Sequence, residues 1–485
     1  MAPATASVSS VNEVDEHLER TLEAQRAAFM AEAGASAAVR IDRIERAIGL
    51  LVDNEREFID AVAADFGQRP PALTRFTDIV SAVRALQHAR KHVRRWMRPQ
   101  RCDPGLPFRL AGVRTEILYQ PLGVVGLISP WNFPVNLSFC PLAGVLAAGN
   151  RCMIKPSEIT PQTSGLMQRL VAAAFDAREV SVITGDAAVA ERFSRLPFDH
   201  LLFTGSTAVG RRVMAAAAEH LVPVTLELGG KCPTIVGRSA DLGRAVDRIL
   251  LGKLANAGQM CLAPDYAYVA RESLQAFVER ARRWMERAYP DLASNRDYTS
   301  LINDRHMGRV SELLADARAK GADVVELGVT PEGLPSRRRL IPPALILGVT
   351  DNMRVMQEEI FAPLLPLKAY DGLDEVITDI NRRPRPLALY YFGSDRNEER
   401  ELLARTTSGG VTTNDVAMHV MVEDLPFGGI GASGMGAYHG EHGFRRFSHA
   451  RAVYRQTGLD VAGLLGLRPP YGPRLDRILR LLIRR

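Results

Sequence analysis

Apolar positions Ile41, Ile44, Ala47, Ile48 and Leu51 recur at helical spacing, and Gly67 with Pro70 and Pro71 closes the helical region that holds them. A second helical stretch, about residues 78–97, carries Arg84, Arg90, Lys91, Arg94 and Arg95 and runs on to Arg98. From about Val124 the period changes. Short apolar runs at 124–129, 152–155, 180–184, 200–204 and 223–228 alternate with helical segments. Thr160-Pro161 predicts an N-cap followed by proline at the first helical position, and Leu166, Met167, Leu170, Val171 and Ala174 line one face of that helix. Strand and helix alternating in this way predict a parallel sheet covered by helices on both faces, an arrangement that usually builds a nucleotide site. A second alternating block spans about 234–391, and the last sixty residues are rich in glycine and then basic.

No charged residue lies between Glu116 and Arg151, a span long enough to cross a bilayer. Pro121, Pro130, Pro134 and Pro141 interrupt it, together with Gln120, Asn132 and Asn136, so it is expected to be buried core. Hydrophobic residues make up 46% of the 485 and charged residues 24%, which excludes disorder, collagen and coiled coil as whole-chain descriptions. The net charge of +6 permits an acidic ligand without requiring one. The basic helix lacks interleaved aromatics and any nucleic-acid-binding module, so it reads as a solvated face and no nucleic-acid partner is expected. Five cysteines, an odd and scattered set, predict a reducing compartment. The N-terminus has no basic-then-apolar leader pattern, and the expected location is cytoplasmic.

Several residues could carry chemistry. Gly205-Ser-Thr-Ala-Val-Gly210 follows a strand and opens a helix, the context in which a phosphate is held at a helix N-terminus, but it fits neither the dinucleotide fingerprint nor the P-loop. Lys155 and Glu158, in Lys155-Pro-Ser-Glu158, follow a strand where open α/β sheets place ligands; both could bond ribose hydroxyls, or they form a plain charged loop. Cys261, in Gly258-Gln-Met-Cys261, is a candidate nucleophile, with Glu227 as a candidate base and Asn132 as a candidate oxyanion donor, although spacing alone does not bring the three together. Cys102, Cys140 and Cys152 read as small buried hydrophobes. No metal site is expected: His439 and His442 flank Glu441, but the three read as surface loop. A Gly-x-Ser-x-Gly elbow is absent.

Taken together, Pro130-Trp-Asn-Phe-Pro134, Lys155-Pro-Ser-Glu158, Phe203-Thr-Gly-Ser-Thr207, Leu226-Glu-Leu-Gly-Gly-Lys231, Gly258-Gln-Met-Cys261, Glu359-Ile-Phe361 and Pro426-Phe-Gly-Gly429 resemble the NAD(P)-dependent aldehyde dehydrogenase superfamily over about residues 20–456. Asp186-Ala-Ala-Val189, Leu262-Ala-Pro-Asp-Tyr266 and Ser433-Gly-Met-Gly-Ala-Tyr-His-Gly440 look like its coniferyl-aldehyde branch, near the class-three enzymes, which are commonly homodimers. The resemblance implies Cys261 as nucleophile, Asn132 and the Cys261 N–H as oxyanion donors, and Glu227 as the base that hydrolyses a thioester. It implies Lys155 and Glu158 on the adenosine ribose, Gly205 and Ser206 near the pyrophosphate, Glu359 on the other ribose, and Phe361 and Trp131 by the nicotinamide. NAD is the expected cofactor, because Glu158 repels a 2′-phosphate, with NADP as the alternative. Ala362 stands where the family usually has glycine, a change that matters only if that turn needs positive φ. Cys232, where serine or asparagine is common, is expected to be structural, with a redox partnership to Cys261 as the sharper alternative.

The fold class that follows is α/β, with an aldehyde dehydrogenase-like fold: a Rossmann-type nucleotide-binding domain (1–112 and 123–226), a catalytic domain (227–444) and a small oligomerisation region (a hairpin at 113–122, with 445–456). The expected reaction is aldehyde to carboxylic acid, on an aromatic, coniferyl-type substrate, with medium or long aliphatic aldehydes as the alternative and a thiol-dependent esterase as the rival from another class. A basic amphipathic tail occupies 457–485. Leu475, Ile478, Leu479, Leu482 and Ile483 fall on one helical face, which is expected to dock on the protein or its dimer partner in preference to a membrane surface.

Overall fold

The apolar runs become strands because each is short, rich in β-branched and large apolar residues, and bounded by glycine, proline or a helix cap. The computed structural model describes residues 8–32, 34–328 and 339–483. β1 (Gln100–Cys102) and β2 (Arg114–Pro121) come first, followed by β3 (Val124–Ile128), β4 (Arg151–Lys155), β5 (Val180–Val182), β6 (His200–Gly205) and β7 (Val224–Leu228). The second block supplies β8 (Pro233–Val236), β9 (Tyr266–Ala270), β10 (Asp323–Glu326), β11 (Ala344–Leu347), β12 (Leu364–Tyr370), β13 (Ala388–Phe392) and β14 (Gly410–Thr413). β15 (Gly434–Met435) and β16 (Ser448–Arg455) close the set.

Among the described residues these strands make three sheets. A six-stranded sheet has the order β15-β7-β6-β3-β4-β5 and is parallel except for β15, which runs antiparallel to β7. A seven-stranded sheet, β10-β11-β12-β9-β8-β13-β14, is parallel except for β10. A three-stranded antiparallel sheet, β1-β2-β16, brings the 114–121 and 448–455 segments together. The expected hairpin at 113–122 is a single strand, whose partners come from β1 and from the far end of the chain. A division of the chain at Glu227 would cut β7; the crossing from the first sheet to the second lies beyond Leu228.

From Gly123 on, the uncharged stretch is mostly core, whereas residues 117–122 are half-buried with Gln120 exposed, because β2 lies in the small three-stranded sheet. β3 and the helix Asn136–Ala148 are buried almost throughout, and among the described residues no helix is long and apolar enough to cross a membrane. Cys140 and Cys152 are buried as expected, whereas Cys102 is exposed because its three-residue strand lies at a sheet edge facing solvent. The helix predicted at Thr160-Pro161 spans Pro161–Ala174, but the Thr160 hydroxyl does not cap it. The Asp65 carboxylate does so from another helix, accepting from the Gln162 N–H (3.0 Å), the Thr163 N–H (2.9 Å) and the Thr163 hydroxyl (2.7 Å). Capping bonds of this kind contribute about 1–2 kcal/mol. Asp65→Ala is therefore expected to lower the thermal midpoint by about 1–2 °C and to raise amide exchange at Gln162 and Thr163, whereas Thr160→Ala should leave that exchange unchanged.

Candidate active site

In the six-stranded sheet the strand order reverses direction between β3 and β6, the place where open α/β sheets form a crevice at their C-terminal edges. The motif residues gather there. Trp131 and Asn132 follow β3, Lys155 ends β4 and Glu158 lies three residues on, Gly205 ends β6, and Glu227 sits near the end of β7. The seven-stranded sheet contributes its opposite edge: Cys261 lies just before β9 and Glu359 just before β12. Most of the candidate ligand groups thus come from the C-terminal edge of one sheet, and Glu359 with the candidate nucleophile from the N-terminal edge of the other.

Cys261 is carried by a tight turn. Asn256 (φ 51°), Ala257 (φ 53°) and Gly258 (φ 75°) occupy the left-handed region in succession, which costs of order 1–2 kcal/mol for a residue such as Ala257. Only glycine fits at 258, where a Cβ would stand 2.3 Å from the Ala362 carbonyl oxygen. At the 359–362 turn the positive φ falls on Phe361 (50°) and not on Ala362, so alanine in place of glycine is unstrained there.

Asn132 is buried and held at both ends. Its side-chain amide donates to the Gln259 carbonyl (3.2 Å), while its own carbonyl accepts from Asn256 Nδ2 (3.1 Å) and Arg69 Nη1 (2.9 Å). Arg69 pairs with Asp78 (2.7 Å), both side chains being fully buried, and Asp78 accepts from the Val135 and Asn136 N–H groups. Gln259 donates to the Asn256 and Ser300 carbonyls and accepts from the Ile302 N–H.

The backbone N–H groups of Cys261 and Leu262 are directed at the Cys261 sulfur, and the buried Cys232 thiol donates to the Cys261 carbonyl (3.4 Å). Burial, reinforced by the Glu359 and Glu227 carboxylates, pushes the Cys261 thiol up to about 12. Glu227 is buried with neither carboxylate oxygen hydrogen-bonded; burial pushes its pKa well above the usual carboxylate range, opposed by the nearby Arg446 charge. The three catalytic candidates therefore share one region. Asn132 is bonded to the turn that carries Cys261, and Glu227 lies within electrostatic range of its sulfur.

Lys155 is buried, with Nζ donating to the Pro156 carbonyl (2.8 Å); burial lowers its pKa, while the Glu158 and Asp186 charges oppose the shift. Glu158 is exposed. At Gly205 a Cβ would stand 2.5 Å from the Phe203 ring, and Ser206 caps the helix Thr207–Ala218 through Val209 N–H (3.4 Å). Glu359 lies across the glycine pair at 229–230, where a Cβ on Gly229 would fall 2.0 Å from its carboxylate, and Gly230 N–H donates to it. Burial, with Asp265 nearby, pushes Glu359 up to about 8. The rings of Trp131 and Phe361 meet edge to face at 5.5 Å. These donor sets suit a dinucleotide: a buried ammonium and an exposed carboxylate at one sheet edge, a capped helix start beside a glycine, and a carboxylate with no cation bonded to it.

Several supporting residues gave no readable signal. Asp265 accepts from Lys231 Nζ (2.6 Å) and from Ile360 N–H (2.9 Å), tying the loop before β8 to the 359–361 turn, and Arg309 donates to the Glu359 and Ile360 carbonyls. Lys231 and Asp265 lie inside motifs but have no distinctive spacing; Arg69, Asp78 and Asn256 lie outside them. His439, expected on a surface loop, is buried, stacks on Phe427 at 5.1 Å and leaves Nδ1 unpartnered, because β15 and the helix Gly440–Arg446 fold it inward. Among the described residues no group of three His, Cys, Asp or Glu could hold a metal ion.

Residues 3–453 match the aldehyde dehydrogenase family. The chain is 52% identical to a probable coniferyl aldehyde dehydrogenase of Caulobacter vibrioides over 461 residues, covering 94% of this chain and 95% of that protein. It is 49% identical to the coniferyl aldehyde dehydrogenase of Pseudomonas sp. strain HR199 over 469 residues, covering 96% of each. The fold superposes on the substrate-bound state of Staphylococcus aureus AldH with a TM-score of 0.89 at 35% identity, covering 96% of this chain and 99% of that one. Because the Cys261 thiol is pushed up to about 12, alkylation by iodoacetamide without added ligand should rise about tenfold per pH unit from 7 to 10 with no plateau. Glu227→Gln removes the negative charge that Glu227 carries once ionised and should speed alkylation at the alkaline end of that range; an unchanged rate at pH 10 would separate the two groups.

Proposed function

The chain belongs to the aldehyde dehydrogenase family, and from that premise we propose that it converts aromatic, coniferyl-type aldehydes to carboxylic acids through a thioester on Cys261. It is an NAD(P)-dependent aldehyde dehydrogenase. The observation that carries the finer reading is Glu227: a carboxylate buried without a hydrogen-bond partner, beside a cysteine whose sulfur faces two backbone N–H groups. Burying such a group is costly unless it is used, and water entering the site would be its natural partner.

In the proposed sequence the Cys261 thiol releases its proton to solvent, the thiolate sulfur bonds to the aldehyde carbon and the carbonyl oxygen becomes an oxyanion. Asn132 spends one amide hydrogen on Gln259, which leaves the second for that oxygen, alongside the Cys261 N–H. One such donor is worth about 3 kcal/mol, or roughly a hundredfold in rate. A nicotinamide held beside Phe361 and Trp131 would supply the hydride acceptor, so that the adduct on Cys261 is left as a thioester. Glu227, ionised, then takes a proton from water, whose oxygen attacks the thioester carbon; the acid is released and the thiol regenerated. A base in this role contributes of order 10²–10⁴-fold.

Lys155 and Glu158 would hold the adenosine ribose, Gly205 and Ser206 the pyrophosphate, and Glu359 the second ribose, with Phe361 and Trp131 by the nicotinamide ring. Glu158 disfavours a 2′-phosphate, which supports NAD over NADP. The six-stranded sheet with the helices of 1–112 would be the nucleotide-binding domain, and the seven-stranded sheet the catalytic domain. The β2–β16 sheet would be the oligomerisation region of a homodimer. Five free cysteines fit a reducing, cytoplasmic setting.

The test is NADH formation with NAD and coniferyl aldehyde, benzaldehyde and straight-chain alkanals. We expect a coniferyl preference, no turnover in Cys261→Ala, and a loss of about a hundredfold in kcat for Asn132→Ala. Because Glu227 is held above the usual carboxylate range, kcat should rise with pH above that range as Glu227 ionises, and Glu227→Gln should abolish the rise while sparing one burst of NADH per site. Equal or faster turnover of alkanals would overturn the aromatic assignment. Ester hydrolysis with no NADH formed from any aldehyde would favour a thiol esterase instead.

A further inference from the structure

Residues 461–485 contain six arginines and one aspartate, a net charge of +5 out of +6 for the whole chain. Their helix, Pro473–Leu482, puts Leu475, Ile478, Leu479 and Leu482 on one stripe, with Arg477 and Arg480 on the other side. The protein body covers only the start of that stripe. Leu475 is buried next to Gly466, whereas Leu479, Leu481, Leu482 and Ile483 are 43, 64, 75 and 77% exposed. Tyr471, 68% exposed, extends the apolar surface ahead of the helix. Among the described residues Arg474, Arg477 and Arg480 make no ion pair, and the only ion pair of this tail is Arg468 with Asp460. The expected docking of the apolar face on this chain is thus met at its first turn alone.

We propose that this helix is a peripheral anchor for anionic lipid bilayers. The guanidinium groups pair with lipid phosphates while Leu479, Leu482 and Ile483 enter the boundary between headgroups and acyl chains. Ten residues lie in the interface plane and do not span it, a length of about 15 Å. A polyanion without an apolar phase would pair with the arginines but leave these three large side chains in water. A second copy brings the same positive tail, and residues 1–460 carry the remaining net charge of +1, so the charge that would draw this helix to it is small.

The test uses full-length protein in flotation with phosphatidylcholine vesicles, with or without about one-third phosphatidylglycerol. The bound fraction should be about tenfold higher with the anionic lipid and fall steeply as salt is raised. Leu482→Glu with Ile483→Glu, both at exposed positions, should abolish flotation without changing aldehyde oxidation; deletion of 473–485 should match it. Equal flotation on neutral and anionic vesicles, or by the double variant, would overturn the proposal. So would a shift of the double variant to a smaller assembly in light scattering with no wild-type flotation, which would make a second copy the occupant. Nucleic acid retarded by the wild type, with no vesicle binding, would likewise overturn it.

Discussion

The site depends on how Asn132 is fixed. Its carbonyl takes two donors, Arg69 from one helical segment and Asn256 from the turn that carries Cys261, while its amide reaches the Gln259 carbonyl on the same turn. Two loops from different sheets are thereby locked through a single residue. The Arg69–Asp78 pair behind it lies out of water, and a buried pair of that kind is weak evidence for added stability. Its directional bonds are the better explanation for it: Arg69 holds the Asn132 carbonyl, and Asp78 holds the Val135 and Asn136 N–H groups. The crevice loop after β3 therefore has both its walls set by one ion pair.

Around that lock the charges are arranged against each other. Burial favours the neutral form of Cys261, Glu227 and Glu359; the two carboxylates add to the shift of the cysteine and Asp265 to that of Glu359, while Arg446 opposes that of Glu227. Lys231 is committed to Asp265 and to the Val355 and Glu358 carbonyls, and its charge, with that of Arg309, offsets part of the upward shift of Glu359.

The sheet strands were legible in the sequence because each apolar run is short, β-rich and sharply bounded; β3, β4, β6 and β7 lie within a residue or two of their apolar runs. The motif residues were legible because the chemistry leaves few residue types to choose from. What the sequence did not carry was meeting in space: the rule that ligands gather at C-terminal strand edges covers Asn132, Lys155 and Gly205, but Cys261 and Glu359 arrive on the opposite edge of another sheet. Arg69 and Asp65 act on partners 63 and 97 positions away, and nothing in their neighbourhoods marks them. His439 reads as polar loop because a buried histidine and an exposed one have the same local sequence.

β7, which carries Glu227, is completed from the far end of the chain. β15 pairs with it at Glu227 and Leu226, Leu228 N–H donates to the Ser433 carbonyl (3.0 Å), and Gly434 lies so close to the Leu226 carbonyl that a Cβ there would stand 2.1 Å from its oxygen. During synthesis, Cys261 leaves the ribosome well before residues 433–435 of this 485-residue chain do. The nascent protein therefore holds its thiol with the Glu227 strand paired on one side only until translation is nearly over.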